Sequence, residues 1–256
     1  MAKHAIVTGG SRGIGRAIAA GLAQAGCDVL LVARDPAALR AAAGEIAAES
    51  GRAIEYLSAD LSTPEGASAV AARAASLFDG LDVLVNNAGA TVRGSLFDVT
   101  EQDWADGFAL KFFGAARLSR LLWPMLVDAG GAVVNIAGVA GRTPTADFVV
   151  GSAVNAAVMS LTKSLAEQGA ADGVRVNCIN PGLIATDRLQ RRVDVIAARD
   201  GVSPAVAAGT LAAEWGVTRI GRPEELAAMA VFLTVGGGTY CQGGIFDVDG
   251  GRTRSL

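Results

Sequence analysis

One histidine in 256 residues is the most restrictive count in this chain. Ser-His-Asp and Cys-His mechanisms, and histidine-rich metal sites, need imidazoles gathered with partners at a shared centre. His4 stands alone at the start of the chain, so neither chemistry and no metal site is expected. Cysteine is nearly as scarce: Cys27, Cys178 and Cys241 are odd in number, far apart and form no C-x-x-C pair. That argues against a disulfide framework and for a reducing, cytoplasmic compartment. No uncharged apolar run reaches the roughly 18 residues of a membrane span, and a strand pattern begins by Ala5 where a leader would carry its apolar core. Neither sign of charge dominates. The 22 Lys+Arg against 25 Asp+Glu leave a net charge of −3, with pI near 5.3, and point to no nucleic-acid or anionic-membrane partner.

What is present is apolar bulk in a regular pattern. With 51% apolar and 18% charged residues the chain is not disordered. A single fold of this mass buries roughly 70% of its unfolded surface, so one domain spanning residues 1–256 is expected. Seven short runs read as strands: His4–Thr8, Asp28–Ala33, Ala53–Ser58, Leu81–Asn86, Ala132–Ala137, Val174–Ile179 and Gly244–Val248. Most are continuous Val/Ile/Leu runs, the pattern of strands covered on both faces. Helical stripes lie between them, such as Ile14/Ile18/Leu22 and Val154/Val158/Leu161/Leu165. Strands alternating with crossovers of more than a dozen residues imply an α/β fold with a Rossmann-like, doubly wound, seven-stranded parallel sheet. The segment Asp187–Gly221, carrying Arg188, Arg191, Arg192 and Trp215, comes after the sixth strand. It reads as a substrate lid or as a plain surface insertion of helices.

The strongest local signal is Thr8-Gly9-Gly10-Ser11-Arg12-Gly13-Ile14-Gly15, set between a strand and a helix. Glycines let the backbone turn tightly and approach a pyrophosphate, while a helix N-terminus supplies free N–H groups and a positive dipole. A P-loop would need Lys-Ser/Thr after Gly15, where Arg16-Ala17 stands. Gly9-x-Ser11-x-Gly13 matches a nucleophile-elbow string, but the one histidine lies upstream of it. The spacing is G-x-x-x-G-x-G rather than G-x-G-x-x-G.

With this loop the chain resembles the classical short-chain dehydrogenase/reductase family, over almost its whole length. The resemblance implies that Gly9, Ser11, Arg12, Gly13, Ile14 and Gly15 hold the cofactor phosphates and that Asp60, next to Leu61, meets the adenine. It assigns Asn87-Ala88-Gly89 to the NNAG signature. It also gives the nicotinamide carboxamide to the segment containing Pro181, Gly182, Ile184 and Thr186, and it matches Asp249-Gly250-Gly251 to the family's C-terminal DGG. Members that use NAD place an acid at the end of the second strand for the ribose 2′-OH. Here Ala33 stands there, with Arg34 after it, and Arg12 sits in the loop. Two guanidiniums suited to a 2′-phosphate favour NADP(H) over NAD(H). Asp35 opposes that choice unless it caps the next helix.

Where the family carries Asn, Ser, Tyr and Lys for catalysis, the register of this chain gives Lys111, Gly138, Gly151 and Asn155. The family's phenol moves a proton, its serine polarises the reacting oxygen and its lysine lowers the phenol's pKa. Losing a general acid costs roughly 10²–10⁴ in rate. Yet an amide and an ammonium have exchanged places, so Lys111 and Asn155 are the candidate catalytic pair. Trp104, Phe108, Lys111, Ala115, Leu118 and Leu122 fall on one helical stripe, which puts Lys111 in an apolar row. A desolvated lysine could act as acid or base near neutral pH; a lysine snorkelling to solvent is the plainer reading. Gly138 and Gly151 leave room for a bulkier substrate or water, or mark relaxed constraint. Arg142, Thr143, Thr145 and Asp147 are the remaining polar residues nearby.

Three functions fit these residues. The first is an NADP(H)-dependent oxidoreductase with altered acid–base residues acting on a small molecule. The second is a catalytically inactive nucleotide-binding sensor or partner subunit, and the third a non-redox lyase or isomerase using Lys111. The resemblance also implies a homotetramer or homodimer built on Glu101–Asp128 and Gly151–Gly169.

Overall fold

The computed structural model describes residues 2–254. Seven apolar runs pair into one all-parallel sheet in the order β3-β2-β1-β4-β5-β6-β7. The strands are β1 Lys3–Thr8, β2 Cys27–Ala33, β3 Ile54–Ser58, β4 Val83–Asn86, β5 Ala132–Ile136, β6 Arg175–Pro181 and β7 Ile245–Val248. Alternate residues face opposite sides, so β1 sends Ala5 and Val7 to one core and Ile6 to the other. On the first side lie α1 (Gly13–Gln24), α2 (Pro36–Ser50) and α9 (Pro223–Thr234), burying Ile18, Leu22, Leu39, Ile46, Leu226 and Leu233. On the second lie α3 (Pro64–Leu77), α5 (Gly114–Ala129) and α6 (Val149–Asp172), whose Val70, Leu118, Leu122 and Leu126 meet Leu30, Leu84 and Val133. From β1 the chain steps outward to β2 and β3, then crosses back to place β4 on the other side of β1 and continues outward from there. A crevice therefore opens at that reversal, beyond the carboxyl ends of the strands.

Helix starts obey local chemistry. Four of the seven prolines, Pro36, Pro64, Pro204 and Pro223, occupy the first turn of α2, α3, α8 (Pro204–Glu214) and α9, where a missing N–H costs nothing. Asp35 caps α2, its carboxylate accepting from the N–H groups of Ala37 and Ala38 at 3.0 and 3.1 Å. α6 combines length and hydropathy enough for a membrane span, but half of its most apolar window is buried inside this fold. His4 sits on β1 stacked against Phe78, with Nδ1 3.1 Å from the Gly80 carbonyl, at the end of the strand opposite the crevice.

The stripe through Trp104 and Leu122 needs correction. A single helix would run straight through it, but the chain forms α4 (Glu101–Gly107), a π-helical turn over Phe108–Phe113, and then α5. A π turn holds more residues per turn and so rotates the helix beyond it. Ala115, Leu118 and Leu122 stay buried as the pattern requires, and Lys111, carried on the π turn, reaches the Ala137 carbonyl at the end of β5.

The segment after β6 makes a closed excursion. Leu183 accepts from Gly221 N and Gly221 accepts from Ala185 N, both at 2.8 Å, and these bonds pinch its neck. Beyond the neck, α7 (Asp187–Asp200) and α8 share a small core of their own, with Val193, Ala197, Ala207 and Leu211 against Leu183.

Candidate active site

A cleft of about 720 Å³ opens beyond the strand ends, between the first glycine loop and the α7–α8 excursion. Of the residues singled out from sequence, Ile14, Asn87, Gly89, Lys111, Gly138, Asn155, Pro181, Gly182, Ile184 and Thr186 line it. Behind its wall, Gly9, Gly13 and Gly15 shape the loop. Gly9 and Gly13 adopt φ of +65° and +54°, the left-handed region. At Gly15 a Cβ would fall 2.2 Å from the Gly9 carbonyl, so no side chain fits the crossing of loop and helix.

The loop is latched to β4 by the fully buried Thr8. Its Oγ1 accepts from the N–H groups of Asn87 and Ala88 at 2.9 Å each and donates to the Val85 carbonyl at 3.2 Å. Asn87 Nδ2 in turn donates to the Thr8 carbonyl at 2.9 Å. Next to it Asn86 donates to Asn135, which donates to Thr162, a buried amide chain joining β4, β5 and α6.

The start of α1 fits a phosphate. Most of the other helices have a side-chain acceptor at their N-cap: Asp35, Thr63, Thr100, Thr186 and Ser203 serve α2, α3, α4, α7 and α8. Arg12 at the α1 cap makes no such bond, and no acid lies in the first turn. The free N–H groups and helix dipole are left for an external anion, at the edge of the cleft where Ile14 lies. Farther out, Arg34 and Arg12 are both exposed, and neither is paired with a carboxylate among the described residues. Asp60, with Leu61 buried behind it, accepts from Ser62 N and Oγ. Those bonds, with the nearby Arg34 charge as a lesser cause, hold its carboxyl below the usual range. Ser11 and Ala88 belong to the loop and its latch and do not line the cleft.

At the inner end, three glycines each receive a neighbour's side chain. Lys111 crosses Gly89, where a Cβ would meet Lys111 Cδ at 2.9 Å. Asn155 packs on Gly138, where a Cβ would lie 3.0 Å from Asn155 Nδ2. The ring of Phe148 covers Gly151, where a Cβ would fall 2.1 Å from the ring. Of the two readings of these glycines, open room fails at Gly151, which Phe148 covers and which does not line the cleft, whereas Gly138 does line it with Asn155 packed against it. Phe148 is missed by the motif reading, although an aromatic three residues before a glycine at a helix start carries the signal.

Lys111 Nζ donates to Asn155 Oδ1 at 2.6 Å and to the Ala137 carbonyl at 2.7 Å. Burial pushes its pKa down from 10.5 to about 8; the Cys178 side chain opposes that shift and Arg188 adds to it. Cys178 itself is raised to about 11, chiefly by burial, and Cys27 likewise, so both are inert thiols near neutral pH. Of the nearby polar residues, Thr143, Thr145 and Asp147 line the cleft. Arg142 instead turns to β7, donating to the Ile245 carbonyl at 3.3 Å and lying 3.5 Å from Asp247.

A crevice at the switch point of a parallel sheet, entered by a glycine loop and a bare helix N-terminus, is the architecture of a dinucleotide-binding α/β protein. The chain belongs to the short chain dehydrogenase family, whose pattern it matches over residues 3–227. It is 37% identical over 253 residues to an uncharacterised oxidoreductase of Mycobacterium tuberculosis, covering 98% of this chain and 92% of that one. It is 32% identical over 254 residues to the 3-oxoacyl-(acyl-carrier-protein) reductase FabG of Chlamydia trachomatis, covering 97% and 96%. Among solved structures, L-sorbose reductase from Gluconobacter frateurii, complexed with NADPH and L-sorbose, superposes with a TM-score of 0.96 at 35% identity, covering 100% of this chain and 98% of that one.

Proposed function

We propose that this protein is an NADP(H)-dependent oxidoreductase in which Lys111 and Asn155 replace the family's tyrosine-centred acid–base residues. The cofactor would supply or accept a hydride. The residues that fit it are the bare N-terminus of α1 for the pyrophosphate and Thr186 with Ile184 for the carboxamide. Arg34 with Arg12 suits a 2′-phosphate, as the NADPH in the sorbose reductase complex would present. Asp35, the residue that spoke for NAD, spends its carboxylate on the α2 cap and is not free to receive a ribose hydroxyl.

The single observation that carries the reading is the environment of Lys111. Two of its three N–H bonds are given to Asn155 and Ala137, and the third has no protein partner among the described residues. An ammonium with a pKa near 8 and one N–H turned to the cleft is suited to giving a proton to a substrate atom as hydride arrives. Asn155 orients it, and the phenyl ring of Phe148 contributes no proton. The α7–α8 excursion would close over the substrate, and a homodimer or homotetramer on α4–α5 and α6 belongs to the same reading. Phe148 lying in the space over Gly151 favours a second reading, a catalytically silent NADP(H)-binding subunit.

Titration with NADPH and NADH, monitored by nicotinamide fluorescence, tests the cofactor half. Micromolar NADPH binding is expected. Arg34→Ala should weaken NADPH about 10- to 100-fold, the range of one charge-assisted hydrogen bond, while leaving NADH unchanged. No binding of either cofactor at millimolar concentration overturns both readings. NADPH binding without turnover across ketones, enones and imines leaves the silent subunit.

A further inference from the structure

The substrate end of the cleft carries charge that neither the cofactor nor Lys111 explains. Besides Lys111 the cleft lining holds Arg93, Arg188, Arg192 and Arg252 against only Asp147 and Glu214, an excess of two positive charges in a chain of net −3. Two of these cations have neutralising or structural roles. Arg93 is paired with Asp147 and lies 4.9 Å over the Phe148 ring; Arg252 donates to the Trp215 carbonyl at 3.3 Å and sits over its indole.

Arg188 and Arg192 differ. They are four residues apart on α7, hence on one face, while Leu189, Val193, Ile196 and Ala197 bury the other face against Leu183 and α8. That packing aims both guanidiniums into the cleft. Neither has a carboxylate partner among the described residues, and Arg192 makes no hydrogen bond among them. Arg188 spends one N–H on the Thr91 carbonyl at 2.9 Å, which holds it across the mouth of the cleft. Like charges at this spacing repel by a few tenths of a kcal/mol, and both groups are pushed below their ordinary pKa by burial and then by Arg93, with Asp147 and Glu214 opposing the shift at Arg192. The fold therefore holds three guanidiniums together with one ion-paired acid, Asp147 on Arg93, while Asp147 and Glu214 reach Arg192 only through space.

We infer that the face of α7 presenting Arg188 and Arg192 binds an anionic group of the substrate, a carboxylate or a phosphate monoester, and so selects for acidic substrates. A planar guanidinium pair matches either anion through paired N–H···O bonds and would hold the far end of a small molecule while its reacting atom faces Lys111. The 2′-phosphate of the cofactor does not account for these residues, since Arg12 and Arg34 lie at the other end of the crevice, beyond the ends of β1 and β2. This inference rests on the proposed oxidoreductase reading for what the anion belongs to, but the anion site can be measured without turnover.

The experiment is calorimetric titration of the full chain with glutarate, with glycerol 3-phosphate and with glutaramide, the neutral isostere of glutarate, each with and without saturating NADP⁺. At least one anion is expected to bind tenfold or more tightly than glutaramide, and the tighter of the two identifies the group. Arg192→Gln, which breaks no bond of the folded protein, should cost that anion about tenfold and leave the NADPH dissociation constant unchanged. Arg188→Gln should do the same and serves as the second variant. Equal binding of glutarate, glycerol 3-phosphate and glutaramide, or anion binding indifferent to both variants, overturns the inference. Loss of NADPH binding in the arginine variants also overturns it, by assigning the pair to the cofactor. Failure of NADPH to bind the unmodified chain, with anion binding intact, strikes the oxidoreductase reading and leaves the anion site standing.

Discussion

Lys111→Met is expected to lower turnover of any substrate by about 10²–10⁴, the usual worth of a general acid, with NADPH affinity unchanged within about twofold. Methionine keeps an unbranched apolar stem across Gly89, with sulfur in place of Cδ, and lacks the proton-bearing nitrogen. The sign of the pH dependence is set by the group. Reduction needs the ammonium, so kcat should be flat below the pKa of about 8 and fall roughly tenfold per pH unit above it; oxidation needs the free amine and should rise to a plateau through the same point. Stability carries the same signature. The unfolded lysine keeps its proton to about pH 10.5 and the folded one to about 8, so between those values the unfolded state binds more protons and stability rises with pH. Below pH 8 both states are charged and the cost of burying the ammonium is present in full. Relative to Lys111→Met, the unmodified chain should gain on the order of 3 kcal/mol between pH 8 and 10.5, at about 1.4 kcal/mol per pKa unit. Denaturation series at several pH values measure this. Parallel curves for the two proteins would mean that Lys111 is solvated, and a variant that turns over at the full rate would remove it from the chemistry.

Thr8→Val is expected to cost about 3 kcal/mol, although it changes the side chain's shape hardly at all. The hydroxyl of Thr8 is the acceptor for two backbone N–H groups and the donor to one carbonyl, in a place with 1% exposure. A methyl there leaves the Asn87 and Ala88 N–H groups bare in the interior, at about 1–3 kcal/mol for each buried group left unpaired. For a chain of this size that lowers the melting temperature by roughly 6–12 °C. Thr8→Ser keeps the hydroxyl and should recover most of the loss. Because the same bonds hold Asn87 against the glycine loop, NADPH affinity should fall in the valine variant and return in the serine one. A melting temperature within about 2 °C of the parent for Thr8→Val would show that water enters and satisfies those groups.

Much of this molecule is legible one segment at a time. All seven strands lie within about two residues of their apolar runs, since a strand covered on both faces must be apolar throughout. Asp35 is recognisable as a cap because it precedes a proline at a helix start. The exchange of amide and ammonium between positions 111 and 155 is visible as a pair, and the two side chains do meet, at 2.6 Å. The π turn is not legible: its residues have the spacing of an ordinary amphipathic helix, and only packing against β5 and α6 decides that the helix is underwound there. The same holds for Gly151. An absent side chain in a sequence reads as space, and only the fold shows that Phe148 occupies it.

The parallel sheet, the glycine loop and the residue types at the inner end of the cleft were settled by the order of amino acids alone. These rest on local chemistry: strand apolarity, backbone freedom, capping and the identity of a titratable group. Folding in three dimensions was needed for three other outcomes: a π turn carries Lys111 to the end of β5, Gly151 is covered by Phe148 rather than open, and Arg93 comes near Arg188 and Arg192 across about a hundred residues of chain. Those outcomes depend on through-space crowding and on unscreened charge brought together by folding, quantities that no spacing along the chain encodes.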